Sequence, residues 1–254
     1  MNYSPSVAID SHLIWRVEEA CRQAWPATSE HLNGGWLLRR SGGKTRRTNS
    51  VNPMPGSRSV DEEVLTRIEA YYRNFDQTPI FRVTDFADEL SPELDRRRYS
   101  VQGETRTLFA RLTSTPSLSG EDVEMECWPS ADWLELRDRL GSDPLLFRKM
   151  IALIQTPVCF ASARVEGRVA SIAYGVVCHG MLVLEAVATD PALQGRGLAK
   201  RTVGALLGWA RREGATEACL QVLAGNAPAE ALYATLGFRR ELYRYRYRFA
   251  PVTA

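Results

Sequence analysis

The chain has 254 residues, 44% of them hydrophobic and 24% charged, with a formal net charge of +2 at pH 7. Such a length and apolar content allow one large or two modest domains with a real core, and the near-neutral balance argues against a general nucleic-acid binder, which needs a basic excess. The opening MNYSPSVAIDSHLIW has no basic stretch followed by an apolar run, and no segment is apolar for long enough to cross a bilayer, so the expectation is a cytoplasmic protein with no membrane contact.

Residues 11–25 place Leu13, Ile14, Val17, Ala20, Cys21 and Ala24 at helical spacing. GGWLLRRSGGKTRRTNSV reads as a strand, a Gly-Gly turn and a second strand. Ser59, with Glu62 three residues later, forms a capping box that predicts a helix from Val60. PIFRVTD is a short strand, SPELDRRRY a short helix with Pro92 near its first turn, and ETRTLFARL a closing strand. Next, LTSTPSLSGEDVE is rich in Ser, Thr, Pro and Gly and has no apolar period. It divides the chain into a first domain over 1–114, a linker over 115–120 and a second domain over 121–254.

The second domain opens with VEMECW, a strand by alternation. Residues 130–140 form a helix stopped by Gly141, and Asp143 caps another, with Pro144 in its first turn and residues 145–154 as its body. VCFASAR, VASIAYGVV and LVLEAVA are joined by the short turns VEGR and CHGM, which makes them antiparallel neighbours. A helix over 198–212, the strand EACLQV, a short helix over 228–236 and the strand RELYRYRYRF complete the chain. Helices, then a meander, then β-α-β-α-β is a mixed-sheet α/β layout. In YRYRYR, strict alternation puts Tyr243, Tyr245 and Tyr247 on one face and Arg244, Arg246 and Arg248 on the other, the mark of a strand rather than a nucleic-acid platform. The arginines over 39–47 and 96–98 read as solvated faces. Five scattered cysteines without a CxxC pair and three isolated histidines predict reduced, mostly buried thiols and no metal site.

ATDPALQGRGLAKRTV carries the chemistry. A helix N-terminus presents backbone N–H groups without partners and a partial positive charge, so it suits a phosphate. Gly195 and Gly197 let the chain bend there and let a ligand approach without a Cβ in the way. The turn lacks the Lys-Ser/Thr ending of a P-loop and the glycine spacing of a dinucleotide fold. A second oddity is Glu185, alone in the apolar run MLVLEAVAT. Burying an unpaired carboxylate is costly. Either desolvation raises its pKa and makes it a base near neutrality, or it faces a wet groove or pairs with an arginine.

Two motifs in order decide the resemblance: Q-x-x-G-x-A, Gln194 to Ala199, after a strand and a Pro-containing loop, and N-x-x-A-x-x-L-Y-x-x-x-G-F, Asn226 to Phe238, one strand later. Over residues 121–249 the chain resembles the GNAT family, the Gcn5-related N-acetyltransferases. The resemblance implies a GNAT fold for the second domain, a mostly antiparallel mixed sheet flanked by helices. It implies that acetyl-CoA is the co-substrate, with no metal. The amides of Gln194, Gly195, Arg196, Gly197, Leu198 and Ala199 would cradle its pyrophosphate. The strand end Val187, Ala188 and Thr189 would splay from its neighbour, pair with the pantetheine arm and offer an N–H to the oxyanion, and Asn226 would contact the cofactor near the thioester. Tyr233 stands where the family's general acid stands, and Glu185 near the point where an acidic residue often acts as base. A phenol, with an ordinary pKa of about 10, can protonate the departing thiolate.

The expected reaction is direct transfer to a primary amine, of a small molecule or a peptide, without a covalent enzyme intermediate, since no cysteine near the motifs has a His partner. The alternatives are a non-catalytic acyl-CoA sensor, or an acyltransferase for longer chains. The first domain faintly echoes the second: helix, aromatic, strand. If it is a degenerate GNAT-like unit, Asp95 lies near the counterpart of Tyr233. Pro53 and Pro55, which offer no N–H, stand before its helix. It is therefore expected not to bind acetyl-CoA but to shape the acceptor groove or pack against the second domain. Exposed strand edges are compatible with a homodimer.

Overall fold

The computed structural model describes residues 10–116, 122–141 and 143–251. Residues 117–120, within the expected linker, lie outside the described residues. The first half runs α1 (Ser11–Ala24), β1 (Ser29–Asn33), β2 (Trp36–Arg40), β3 (Val51–Pro53), α2 (Glu62–Arg73), β4 (Ile80–Thr84), α3 (Ser91–Arg96) and β5 (Ser100–Arg111). The second half runs β6 (Val123–Glu126), α4 (Ala131–Leu140), α5 (Pro144–Ile151), β7 (Val158–Val165), β8 (Arg168–Cys178), β9 (Met181–Thr189), α6 (Leu198–Arg212), β10 (Glu217–Leu223), α7 (Ala227–Thr235) and β11 (Arg240–Phe249).

All these strands join one sheet in the order β1-β2-β3-β4-β11-β5-β10-β9-β8-β7-β6. Its plan is nearly symmetric. In each half an antiparallel three-strand meander is followed by a helix and a parallel strand, β3 beside β4 and β9 beside β10. The closing strands then cross over: β5 pairs antiparallel with β10, β11 pairs antiparallel with β4, and the two pair with each other. Each half therefore completes the other's sheet.

Local chemistry sets the helix starts. Asp10 Oδ1 accepts from the Leu13 amide at 3.1 Å, and the face Leu13, Ile14, Val17, Ala20 and Cys21 is buried against β8 and β9. The expected capping box at Ser59 gives way to Asp61, whose Oδ1 accepts from Val64 N at 2.9 Å while Ser59 Oγ donates to Asp61. The carboxylate is the stronger acceptor for the helix amide, so α2 starts at Glu62. Asp143 stands at the N-cap of α5, but its side chain does not cap the helix. Its φ is +50° and its Oδ2 accepts from the Lys44 amide at 2.7 Å. A Cβ at Gly43 would stand 2.6 Å from that oxygen, so the close approach of this turn requires glycine. The β1–β2 hairpin closes through Gly34 and Gly35, both at positive φ.

Two apolar layers cover the second half of the sheet. On one face α1, α4 and α5 bury Trp25, Trp133, Phe147, Phe160 and Tyr174 together. On the other, α6 and α7 bury Leu206, Leu207, Tyr233 and Leu236 over Leu182, Leu184 and Leu220. Tyr243, Tyr245 and Tyr247 all face the α1 layer, and Arg244 and Arg246 bind Glu104 at 2.6 and 2.9 Å. Four cysteines are buried, Cys127 is exposed, and all five are free.

Candidate active site

β9 and β10 pair from Met181↔Glu217 to Leu184↔Leu220 and no further. Beyond that point β10 continues beside β5, and β9 beside β8. The backbone edges of residues 185–189 and 221–223 therefore diverge, leaving a wedge in an otherwise continuous sheet. A bulge contributes: β9 fits one residue more than β8 between Ala188↔Ile172 and Glu185↔Tyr174, and Ala186 takes φ +49°. A non-glycine residue in this region is strained, and bulges re-aim strands beside functional sites. The side chain of Thr189 bonds Ser171 Oγ at 2.9 Å, and Ser171 Oγ donates to Ala188 O at 3.1 Å, which ties the strand end to β8.

At the open side of the wedge stands the start of α6. Gly195 and Gly197 have φ of +76° and +75°, and a Cβ added at either would meet nothing within 4 Å. Gly197 is the N-cap and supplies no side-chain acceptor. Among the described residues, the amides of Gly195 through Lys200 make no hydrogen bond, the first return contact being Arg201 N to Gly197 O at 3.1 Å. This is a row of unpartnered donors at a helix's positive end, with Gln194 and Arg196 exposed beside it and Leu198 buried as its anchor. Asn226 is exposed and caps α7, its Oδ1 accepting from Ala229 N at 3.3 Å.

α7 brings Tyr233 to the inner end of the wedge. The ring is buried in the same cluster as Leu184, Leu220 and Val222, with Val187 packed against it. Burial, and then the charge of Glu185, push its phenol above the ordinary range, so it holds its proton at neutral pH. Glu185 is 5% exposed. It does not face a wet groove: Arg47 Nη1 donates to its Oε1 at 2.7 Å and Oε2 at 2.9 Å. Burial holds the Glu185 carboxyl above the usual carboxylate range, and Arg47 draws it partway back.

Sequence reasoning missed Arg47, since an arginine in RRT looks like a solvated one, and Arg39 likewise. Arg39 is buried, donating to Glu30 and to the carbonyls of Arg47 and Trp25, and burial pushes its pKa down to about 10. Arg47 also lies over the Trp25 ring at 4.1 Å. Both arginines line a cavity of about 220 Å³ between α1 and the β2–β3 segment, on whose wall Gln221, the first β10 residue past the wedge point, also stands.

A family model described as the C-terminal part of the probable histone acetyltransferase Rv0428c matches residues 12–248. The chain belongs to this family of GNAT acetyltransferases. An uncharacterized N-acetyltransferase, YobR of Bacillus subtilis strain 168, is 25% identical over 234 residues, 89% of this chain and 94% of that protein. Among solved structures, a GCN5-related N-acetyltransferase from Kribbella flavida superposes with a TM-score of 0.71 at 15% identity, covering 98% of each chain. A tandem GNAT protein from the clavulanic acid biosynthesis pathway superposes with a TM-score of 0.67 at 10% identity, covering 91% of this chain and 86% of that one. These likenesses give the GNAT fold to the whole chain. No described helix is long and apolar enough to cross a membrane, and no described group of His, Cys, Asp or Glu could hold a metal ion.

Proposed function

We propose that this acetyltransferase moves the acetyl group of acetyl-CoA onto a primary amine, in a complex holding both substrates at once. The observation that carries the reading is the run of unpartnered amides, Gly195 to Lys200, at the mouth of the β9/β10 wedge. The donor set fits a diphosphate: N–H groups in an open turn at a helix N-terminus, with Arg196 adding charge. The unpaired edge at Val187, Ala188 and Thr189 fits an extended amide-bearing arm. Acetyl-CoA supplies an activated thioester, and the chain supplies the rest.

The wedge amides near Val187 or Ala188 stabilise the oxyanion that forms as the amine nitrogen bonds to the acetyl carbon. Glu185 takes a proton from the incoming ammonium, directly or through water, so that the neutral amine can attack. As the C–S bond breaks, Tyr233 gives its proton to the sulfur and regains one from the positively charged nitrogen of the tetrahedral intermediate, which leaves a neutral amide and a thiol. Asn226 stands at the mouth of α7, where its free amide group meets the pantetheine end.

Arg47 sets the working range of that base. Removing the cation leaves desolvation unopposed, so the Glu185 pKa rises further. The acid limb of kcat/KM in Arg47→Met therefore moves to higher pH. A pH profile with Glu185→Gln as control, which loses the limb, checks this.

The first half is proposed as a degenerate GNAT-like unit. From β1 and from β7 onward the two halves run in the same order, three strands, helix, strand, helix, strand. Its α2 start is closed to phosphate, because Asp61 already accepts from Val64 N and repels a second anion. Asp95, at the counterpart of Tyr233, instead takes a hydrogen bond from Arg248 of the exchanged strand β11. This half supplies Leu37, Pro53 and Met54 to the cavity, and so shapes the acceptor site. A panel of amines incubated with acetyl-CoA, read by thiol release, tests the whole reading. Release with at least one amine, and a 1:1 acetylated product by mass, is expected. Tight acetyl-CoA binding with no release from any amine would make the protein an acyl-CoA sensor instead.

A further inference from the structure

Arg47 narrows the acceptor, given the acetyl-transfer reading above. β9 and β10 stop pairing after Leu184↔Leu220, so Glu185 and Gln221 are the first residues past that point on the two strands. Arg47 binds Glu185 and shares a cavity wall with Gln221. The cavity between α1 and the β2–β3 segment therefore meets the wedge at Arg47.

Four arginines line this cavity: Arg22, Arg39, Arg47 and Arg82. Three leave no pair of adjacent nitrogens free. Arg22 gives Nε and Nη2 to Glu19 and Nη1 to Glu30. Arg39 gives Nε to Glu30, and Nη1 and Nη2 to the carbonyls of Arg47 and Trp25. Arg82 gives both Nη atoms to Glu18. Arg47 differs. Its Nη1 alone holds both Glu185 oxygens, at 2.7 and 2.9 Å. Its Nε and Nη2 have no partner among the described residues, and neither is a buried atom, so both keep surface open to solvent. The side chain is 28% exposed, with its Cζ 4.1 Å from the centre of the Trp25 ring on the same wall.

Nε and Nη2 form the side-on fork of a guanidinium, whose parallel N–H groups match the two oxygens of a carboxylate. Charge favours a particular kind of carboxylate. The charged residues of the wall and their ion-pair partners are four arginines and four glutamates, Glu18, Glu19, Glu30 and Glu185. The set is balanced. A simple amine adds an uncompensated cation to it and a simple acid an uncompensated anion, and both are costly in a recess. A zwitterion adds no net charge. Its carboxylate meets Arg47, its ammonium meets Glu185, and the existing ion pair is extended rather than broken.

The rest of the wall is apolar, with Trp15, Leu37, Pro53 and Met54. Its volume of about 220 Å³ equals that of about seven waters, the scale of one amino acid.

We infer that the acceptor is a free α-amino acid with an apolar side chain, its carboxylate on the Nε–Nη2 edge of Arg47 and its ammonium on Glu185. The α position sets the two charges side by side, as those of Arg47 and Glu185 are. The N–C bond forms at the wedge as the C–S bond breaks, with the proton transfers described above. The products are an N-acetylamino acid and the thiol of coenzyme A.

The test compares leucine, methionine and phenylalanine with their amides and with the amines that lack the carboxyl group, by thiol release at one pH. The amine of an amide is the weaker base and loses its proton more readily, so a preference for the acid cannot come from the amine. The expected kcat/KM for the best acid exceeds that for its amide about 100-fold, the worth of a charge-assisted fork, mostly through KM. Arg47→Lys keeps a cation beside Glu185 and removes the fork, so this preference falls about tenfold or more. An amide or plain amine used as well as its acid, or an unchanged preference in Arg47→Lys, overturns the inference. Should that variant not fold, β-leucine, with its amine one carbon further from the carboxylate, decides on the unaltered chain. The fork still holds it but the amine is displaced, so kcat falls about tenfold relative to leucine while KM changes little. Equal kcat values for the two overturn the inference. Failure of the transferase reading looks different: no thiol release from any amine or amino acid despite calorimetric binding of acetyl-CoA. Calorimetry with the same acids and amides then decides the fork alone. Binding of the acids and not the amides supports it, and equal or absent binding refutes it.

Discussion

Tyr233→Phe lowers kcat by about 10²- to 10⁴-fold, the range of a lost general acid, while the Kd for acetyl-CoA stays within about twofold. The phenol is buried beside the wedge, and burial together with Glu185 keeps it protonated. Removing the hydroxyl leaves the thiolate to depart without a proton. The ring itself packs edge-on to Phe238 at 6.1 Å, and phenylalanine preserves that contact, so the melting temperature changes little. Steady-state kinetics, calorimetry and thermal melting on the same preparation separate the outcomes. Equal losses in binding and turnover would make Tyr233 a packing residue, and undiminished turnover would remove its acid role.

Gly197→Asp weakens acetyl-CoA binding by about 100-fold while the melting temperature changes little. Gly197 is the N-cap of α6 at a φ of +75°, and a Cβ there meets nothing within 4 Å. The left-handed backbone strains a side chain, aspartate less than most, and this offsets the gain of an aspartate cap over glycine, roughly a few tenths of a kcal/mol. The carboxylate stands beside the donors meant for a diphosphate and repels it. Asp61 already does this at the start of α2. Gly197→Asn, capping without charge, should lose less affinity. Calorimetry gives the Kd, and thermal melts without ligand give the stability. Unchanged affinity in Gly197→Asp would place the diphosphate elsewhere.

Much of this was legible in the chain. Helix α6 and strand β11 carry long, regular patterns, and the structure starts and ends them where the sequence does. The two motifs sit on the turn before α6 and on α7, and their chemistry depends on local backbone, which sequence encodes directly. Non-local pairing was hidden. Nothing in ETRTLFARL or RELYRYRYRF says that β5 pairs with β10 and β11 with β4, because period-2 alternation fixes faces and not neighbours. Arg47 was hidden for the same reason: its partner is 138 positions away. At α2, Ser59 and Asp61 compete as caps two residues apart and the local carboxylate wins, whereas at α5 a distant donor, the Lys44 amide, claims the Asp143 side chain. The bulge at Ala186 left no mark, since alanine is an unusual residue for positive φ and the strand's apolar run continues through it.

The α6 turn as the diphosphate seat is the claim on which the rest stands, and a crystal structure of the coenzyme A complex tests it most directly. The account predicts diphosphate oxygens within hydrogen-bond distance of the amides over 195–199, the pantetheine arm along Val187–Thr189, and the sulfur within reach of the Tyr233 hydroxyl. A diphosphate bound away from that turn, or a sulfur on the far side of the sheet from Tyr233, would contradict it.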